Sequence, residues 1–149
     1  MTKLFIEKTT VTPTPKYATK YSAAMDIHAV IKGNSGVQII APHQTVMIET
    51  GLKVQPEAGY HVELYPRSGL AAKLSINLAN CLGLIDRDYK NELRVLLHNN
   101  STSTAEILDG ERICQMQIKK TEQIEIVEVN KLPELESDRE GGFGHSGRM

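Results

Sequence analysis

Residues 37–65, VQIIAPHQTVMIETGLKVQPEAGYHVELY, decide the fold class. Val37–Ile40 is a short apolar run stopped by Ala41-Pro42. Thr45–Ile48 and Leu52–Val54 follow, and Gln55-Pro56-Glu57-Ala58-Gly59 breaks the chain again before Tyr60–Tyr65. Short runs rich in β-branched residues, separated by turn residues, are the mark of strands. The same rhythm extends outward. Leu4–Lys8 and Asp26–Ile31 precede the stretch, the latter followed by the turn Gly33-Asn34-Ser35-Gly36. Leu93–His98, Glu106–Leu108, Arg112–Lys119 and Gln123–Val129 come after it. The spacing predicts an all-β sandwich or barrel. One short helix is expected at Ser68–Leu74, with Ser68 as its N-cap.

A chain of 149 residues fits one domain with a core of its own. The formal charge of -1 offers no electrostatic footprint for nucleic acid. Any bound anion must be met by a local set of donors. No apolar run approaches the roughly 20 residues of a membrane span, and MTKLFIEK lacks the features of a secretory leader. A soluble protein acting in the cytoplasm, of its own cell or of a host cell, is expected. Cys81 and Cys114 both lie in apolar runs and read as buried small hydrophobes.

The chain changes character at Pro133. A folded domain over 1–132 and an arm over 133–149 are expected. The arm, PELESDREGGFGHSGRM, is polar and glycine-rich, with Phe143 as its one aromatic residue. It cannot fold alone. It reads either as a disordered tail or as a segment that orders on a ligand.

Three segments could carry chemistry. Pro66-Arg67-Ser68-Gly69-Leu70-Ala71 places an arginine, a hydroxyl and a glycine amide at the entry to a helix. This suits phosphate, or is an ordinary cap beside an exposed arginine. Gly83-Leu84-Ile85-Asp86-Arg87-Asp88-Tyr89 carries two carboxylates, Asp86 and Asp88, that share one face of an extended strand. Such a pair serves metal binding or water activation, or else bonds its own backbone in a β-turn. Gln115 stands in an otherwise apolar strand and needs a partner, from the protein or from a ligand. Phosphate-cradling Gly-Lys-Ser loops, dinucleotide glycine fingerprints, zinc spacings and serine elbows are all missing. A hydrolase built from this set would use water as nucleophile and a carboxylate as base.

Taken in order, these segments resemble the five motifs of the trimeric dUTPase family. Ala23-Ala24-Met25-Asp26-Ile27 is similar to the first and Pro66–Ala71 to the second. Asn80–Glu92 (NCLGLIDRDYKNE) is similar to the third, Gly110–Met116 (GERICQM) to the fourth and Gly141–Gly147 (GGFGHSG) to the fifth. The resemblance implies a jelly-roll-like β-barrel of the β-clip type. It also implies hydrolysis of dUTP to dUMP and pyrophosphate, which limits uracil in DNA and supplies dUMP for dTMP synthesis. By the same resemblance Asp86 activates the water that attacks the α-phosphorus. Tyr89 packs under the deoxyribose and refuses ribonucleotides, and the hairpin bearing Asn80, Gly83 and Ile85 reads uracil, largely through backbone groups. Arg67, Ser68, Gly69 and Gln115 take the phosphates. Phe143 stacks on uracil, and Arg139, Gly144, His145 and Ser146 belong to the closing arm. Mg²⁺ is implied, held mainly by the triphosphate and waters with Asp26 in support, as is a homotrimer with sites shared between subunits.

Three positions depart from the family pattern. Ala24 stands for a glycine in the first motif. Asn91 stands for the glycine two places after the tyrosine, where a residue tolerant of positive φ is expected. Arg139 is one residue closer to Phe143 than the family's arginine. Two other readings remain at this point: a dCTP deaminase of the same fold, and a non-catalytic nucleotide-binding trimer.

Overall fold

Met25–His28 shows why the chain pairs as it does. Met25 and Ile27 are buried while Asp26 and His28 are half-buried on the other face, the period-2 pattern of a sheet with one face on the core. In the structure, a computed structural model describing residues 2–136, eleven such strands and one helix follow in order. They are β1 (Leu4–Lys8), β2 (Met25–His28), β3 (Val37–Ile40), β4 (Thr45–Glu49), β5 (Leu52–Pro56), β6 (Tyr60–Pro66), α1 (Ser68–Leu74), β7 (Ile76–Leu78), β8 (Gly83–Ile85), β9 (Arg94–Asn99), β10 (Ala105–Leu108) and β11 (Arg112–Lys120).

Every pairing is antiparallel. The ladders are β1-β5, β3-β10, β2-β11-β6-β8 and β4-β9-β7. They wrap one core in which Ile27, Ile40, Leu93, Ile107, Cys114 and Met116 are fully enclosed. Each large aliphatic side chain so buried stabilises the fold by about 1.5–3 kcal/mol. The all-β, jelly-roll-like expectation holds, although these ladders do not join into one continuous closed barrel. No helix among the described residues is long and apolar enough to cross a membrane.

Several expectations need correction. The first-motif strand ends at His28, beyond which Val30 makes only an isolated bridge to Glu49. The expected strand at Gln123–Val129 is absent. Among the described residues no strand pairs with it. Ile124 is 80% and Ile126 87% exposed. Strands β7 and β8 escaped the sequence reading because three residues are too few to display an alternation. Helix α1 spans the expected residues, but Arg67 is its N-cap and no side chain caps it. Ser68 is thus left free of the capping duty assigned to it. Both cysteines are free thiols, Cys114 buried but Cys81 exposed. Burial pushes the Cys114 thiol up to about 12. Asn91 does not use that tolerance, since its φ is not positive.

Candidate active site

The polar face of the four-stranded sheet gathers the first, second and fourth motifs. Gln115 on β11 lies between Asp26 on β2 and Tyr65 on β6 in the ladder register. Asp26 is bracketed by two guanidinium groups. Arg112 Nη1 lies 3.2 Å from Oδ2 and Arg67 Nε lies 3.3 Å from Oδ1. The second contact is an ion pair by distance only, because the geometry leaves Oδ1 without a hydrogen bond. Arg67 Nη1 also donates to the Arg112 carbonyl oxygen at 3.0 Å. This lattice holds both arginines at the entry of α1, where Ser68 and Gly69 are exposed. A Cβ added at Gly69 would meet nothing within 4 Å, so the backbone there is open to a ligand. His28 sits opposite Arg112. Burial lowers its pKa; Asp26 opposes that, while Arg112 and Arg67 add to it. The cluster is therefore cationic on balance and fit for an anion. Arg112 was visible within GERICQM but received no role from the sequence, since its pairing with Asp26 spans 86 residues.

The third motif forms a separate unit. Strands β7 and β8 flank a tight turn in which the Cys81 amide donates to the Leu78 carbonyl at 3.1 Å and the Leu82 amide to the Asn80 carbonyl at 2.6 Å. Asn80 is exposed at that turn. Strand β8 then pairs with β6, with Gly83 opposite Leu64 and Ile85 opposite Val62. Gly83 is buried, and a Cβ there would lie 3.0 Å from the Leu64 Cβ. The backbone of β8 approaches β6 so closely that any side chain at this position would crowd Leu64. Gly83→Ala is accordingly expected to cost about 1–3 kcal/mol by overpacking, seen as a lower urea midpoint with an unchanged slope.

Asp86 follows β8 and is exposed. Its carbonyl accepts the Tyr89 amide at 3.2 Å. The backbone makes a turn there, but neither carboxylate bonds its own backbone among the described residues, and both stay exposed. Asp86 and Asp88 line a hollow of about 630 Å³ with Tyr60 and His61. Tyr89 lines an adjoining hollow of about 740 Å³ with Phe5 and Lys53, and its hydroxyl donates to the Glu92 carbonyl oxygen at 3.2 Å.

Asp26, Arg67 and Gln115 come together, with Ser68 and Gly69 at the entry of α1; Asn80, Gly83, Ile85, Asp86 and Tyr89 are strung along one segment instead, the turn at Asn80 on the Pro66 side and Asp86 past the far end of β8. Ile85 lies opposite Val62, and Asp86 continues along β6 away from Arg67. At about 3.3 Å per residue, Asp86 and Arg67 stand roughly 20 Å apart. They cannot serve one phosphate group from within one chain. Arg139, Phe143, Gly144, His145 and Ser146 lie outside the described residues. Among the described residues no three His, Cys, Asp or Glu side chains converge to hold a metal ion.

Comparison with known proteins gives this arrangement its context. A sequence model described as dUTPase matches residues 10–147. The chain is 40% identical over 135 residues to the deoxyuridine 5'-triphosphate nucleotidohydrolase of Finegoldia magna, covering 91% of this chain and 92% of that protein. It is 42% identical over 134 residues to the protein of the same name from Fusobacterium nucleatum, covering 90% and 89%. The fold matches the dUTPase of Staphylococcus bacteriophage 80alpha, solved as a G164S mutant with dUpNHpp. That match has a TM-score of 0.84 at 21% identity, over 97% of this chain and 98% of the other. The Streptococcus mutans dUTPase matches with a TM-score of 0.71 at 25% identity, over 80% and 98%. With the motif residues on these two units of the fold and the family match running from residue 10 to residue 147, the chain belongs to the dUTPase family.

Proposed function

We propose that the protein hydrolyses dUTP to dUMP and pyrophosphate, with Asp86 as the general base that orients and deprotonates the attacking water. The observation that carries this reading is an exposed Asp86 carboxylate directly after β8, in a chain about 40% identical to proteins named for that reaction. The base is read by the hairpin turn at Asn80, with Gly83 and Ile85 in the strand that follows. Tyr89 packs against the sugar. Arg67, Ser68, Gly69 and Gln115 receive the phosphates, and preorganised donors there stabilise the charge that develops as pyrophosphate leaves. Holding the water in line supplies the orientation contribution.

The assembly is a homotrimer in this reading, with each site drawn from more than one chain. Two observations support it. The first is the roughly 20 Å between Asp86 and Arg67, inferred from strand register. The second is the row of bare aliphatic side chains on residues 124–135, among them Leu132 (80% exposed) and Leu135 (86%), which call for cover by another copy. The domain over residues 1–132 would supply the site, and the arm over 133–149 would close it, with Phe143 on the base and Arg139, Gly144, His145 and Ser146 toward the phosphates. The reaction belongs in the cytoplasm, where deoxynucleotides are made.

The donor set bears on Mg²⁺. With no convergent trio of ligating side chains among the described residues, the ion would be chelated mainly by the phosphates and water. When bound it supplies charge neutralisation on the triphosphate. Asp26, engaged by Arg67 and Arg112, holds those guanidinium groups in place.

Incubation with dUTP, UTP, dCTP and dTTP in the presence of Mg²⁺ tests the reading. Pyrophosphate release from dUTP well above the others is expected. Deaminated product from dCTP would make the protein a deaminase of the same fold. Binding of dUTP with no pyrophosphate would make it a nucleotide-responsive regulator.

A further inference from the structure

We propose that Glu92 is a positioning residue that fixes Tyr89 and thereby sets the discrimination between deoxyribose and ribose; the inference rests on the dUTPase reading above. The Glu92 carboxylate gathers three donors from two distant parts of the chain. Oε1 accepts the Gly51 amide at 2.8 Å and the Thr50 amide at 3.2 Å, and Oε2 accepts the Thr9 hydroxyl at 3.0 Å. Its own backbone carbonyl oxygen receives the Tyr89 hydroxyl at 3.2 Å. The side chain therefore nails down the peptide group to which the tyrosine is tied.

The anchor is rigid at its far end. Gly51 has φ +69°, and a Cβ there would lie 2.7 Å from the Thr10 Cγ2, so the β4–β5 turn lies close against the residues that follow β1. The Thr9 amide donates to the Gly51 carbonyl at 2.9 Å. On the other side, the Leu93 amide donates to Leu52 at 2.7 Å and the Leu93 side chain is wholly buried. Glu92 is thus held between a tight turn and the core. Burial by itself would raise its pKa, but the hydrogen bonds from Gly51, Thr9 and Thr50 outweigh burial and hold the carboxyl below the usual range. It stays an acceptor at neutral pH.

Tyr89, by contrast, is 37% exposed, and its hydroxyl contact is the one hydrogen bond its side chain makes among the described residues. A ring held at one end only can swing. Rejecting a single hydroxyl requires it to keep its place to within about 0.5 Å. Loss of the Glu92 carboxylate would leave two backbone amides and the Thr9 hydroxyl without their acceptor and slacken residues 90–92. The same slack would reach Asp86, whose carbonyl closes the turn with the Tyr89 amide.

The test compares kcat/KM for dUTP and for UTP in the full-length oligomer. Wild type, Glu92→Ala, Glu92→Gln, Tyr89→Phe and the double variant Tyr89→Phe/Glu92→Ala are measured side by side. Glu92→Ala is expected to lower the dUTP-to-UTP ratio at least tenfold. Glu92→Gln should keep most of it, because the amide oxygen still accepts the Gly51 and Thr50 amides. The double variant should be no worse than the poorer single one, since both break the same link. An unchanged ratio in Glu92→Ala, or multiplicative losses in the double variant, would overturn the proposal. Should Glu92→Ala fail to fold, Thr9→Val and Tyr89→Phe decide: a lowered ratio in both supports the anchor, and anything less overturns it. A wild-type protein inert toward dUTP would instead sink the underlying dUTPase reading, and this inference with it.

Discussion

Asp86→Asn is expected to lower turnover of dUTP by roughly 10²–10⁴-fold, the usual contribution of a positioned general base, while nucleotide affinity stays near that of the wild type. The side chain is exposed beyond the end of β8, so the change removes a charge without opening a cavity. The turn is closed by the Asp86 backbone carbonyl, which the substitution leaves in place. The amide can still hold a water, but it cannot take its proton. Titration of a non-hydrolysable dUTP analogue, paired with single-turnover kinetics, separates the two effects. Near-normal turnover would take Asp86 out of its role. A loss of affinity as large as the loss in rate would make it a binding group instead.

Removing the residues after Ser137 is expected to lower kcat/KM by about 10²-fold or more while the oligomer stays assembled. Each phosphate donor lost from such a site costs on the order of 10²–10³ in rate, and the arm is proposed to supply several as well as to exclude water. The aliphatic residues proposed to meet a neighbouring copy, from Ile124 to Leu135, all precede the cut. Light scattering and steady-state rates on the same preparation check both halves. Dissociation of the shortened protein would show that the arm is structural. Full activity would show that it does not touch substrate.

The fold class was legible because the strands from β3 to β6 lie between conspicuous breakers. Pro42 with the preceding Ala41 marks a stop by local chemistry, so β3 begins and ends where its pattern does, whereas β5 runs on through Pro56, which sits at a ladder end opposite Leu4. What pairs with what was not legible. The β2–β11 and β1–β5 ladders join residues far apart in the chain, and neither propensity nor period encodes a partner. The segment after Lys120 misled for a related reason. Its aliphatic residues are those of a strand, but a strand also needs a partner, and among the described residues nothing pairs with it.

The candidate site divides along the same line. Asp86 and Tyr89 could be singled out as candidates because they sit within one short run that resembles the family's third motif. The link between Asp26, Arg67 and Arg112 was not, since it exists only once β2, β6 and β11 lie side by side. Glu92 stayed hidden for a different reason. Its carboxylate is engaged with Thr9, Thr50 and Gly51, none of which belongs to a motif.

The spacing of Asp86 and Arg67 along β6 bears on inheritance as well as on catalysis. In the shared-site assembly proposed above, a chain that has lost its own base would still lend intact guanidinium groups to the copies beside it. Mixed particles would then hold some complete sites and some broken ones, so a damaged gene copy would dilute the activity of a healthy one in proportion and would not abolish it.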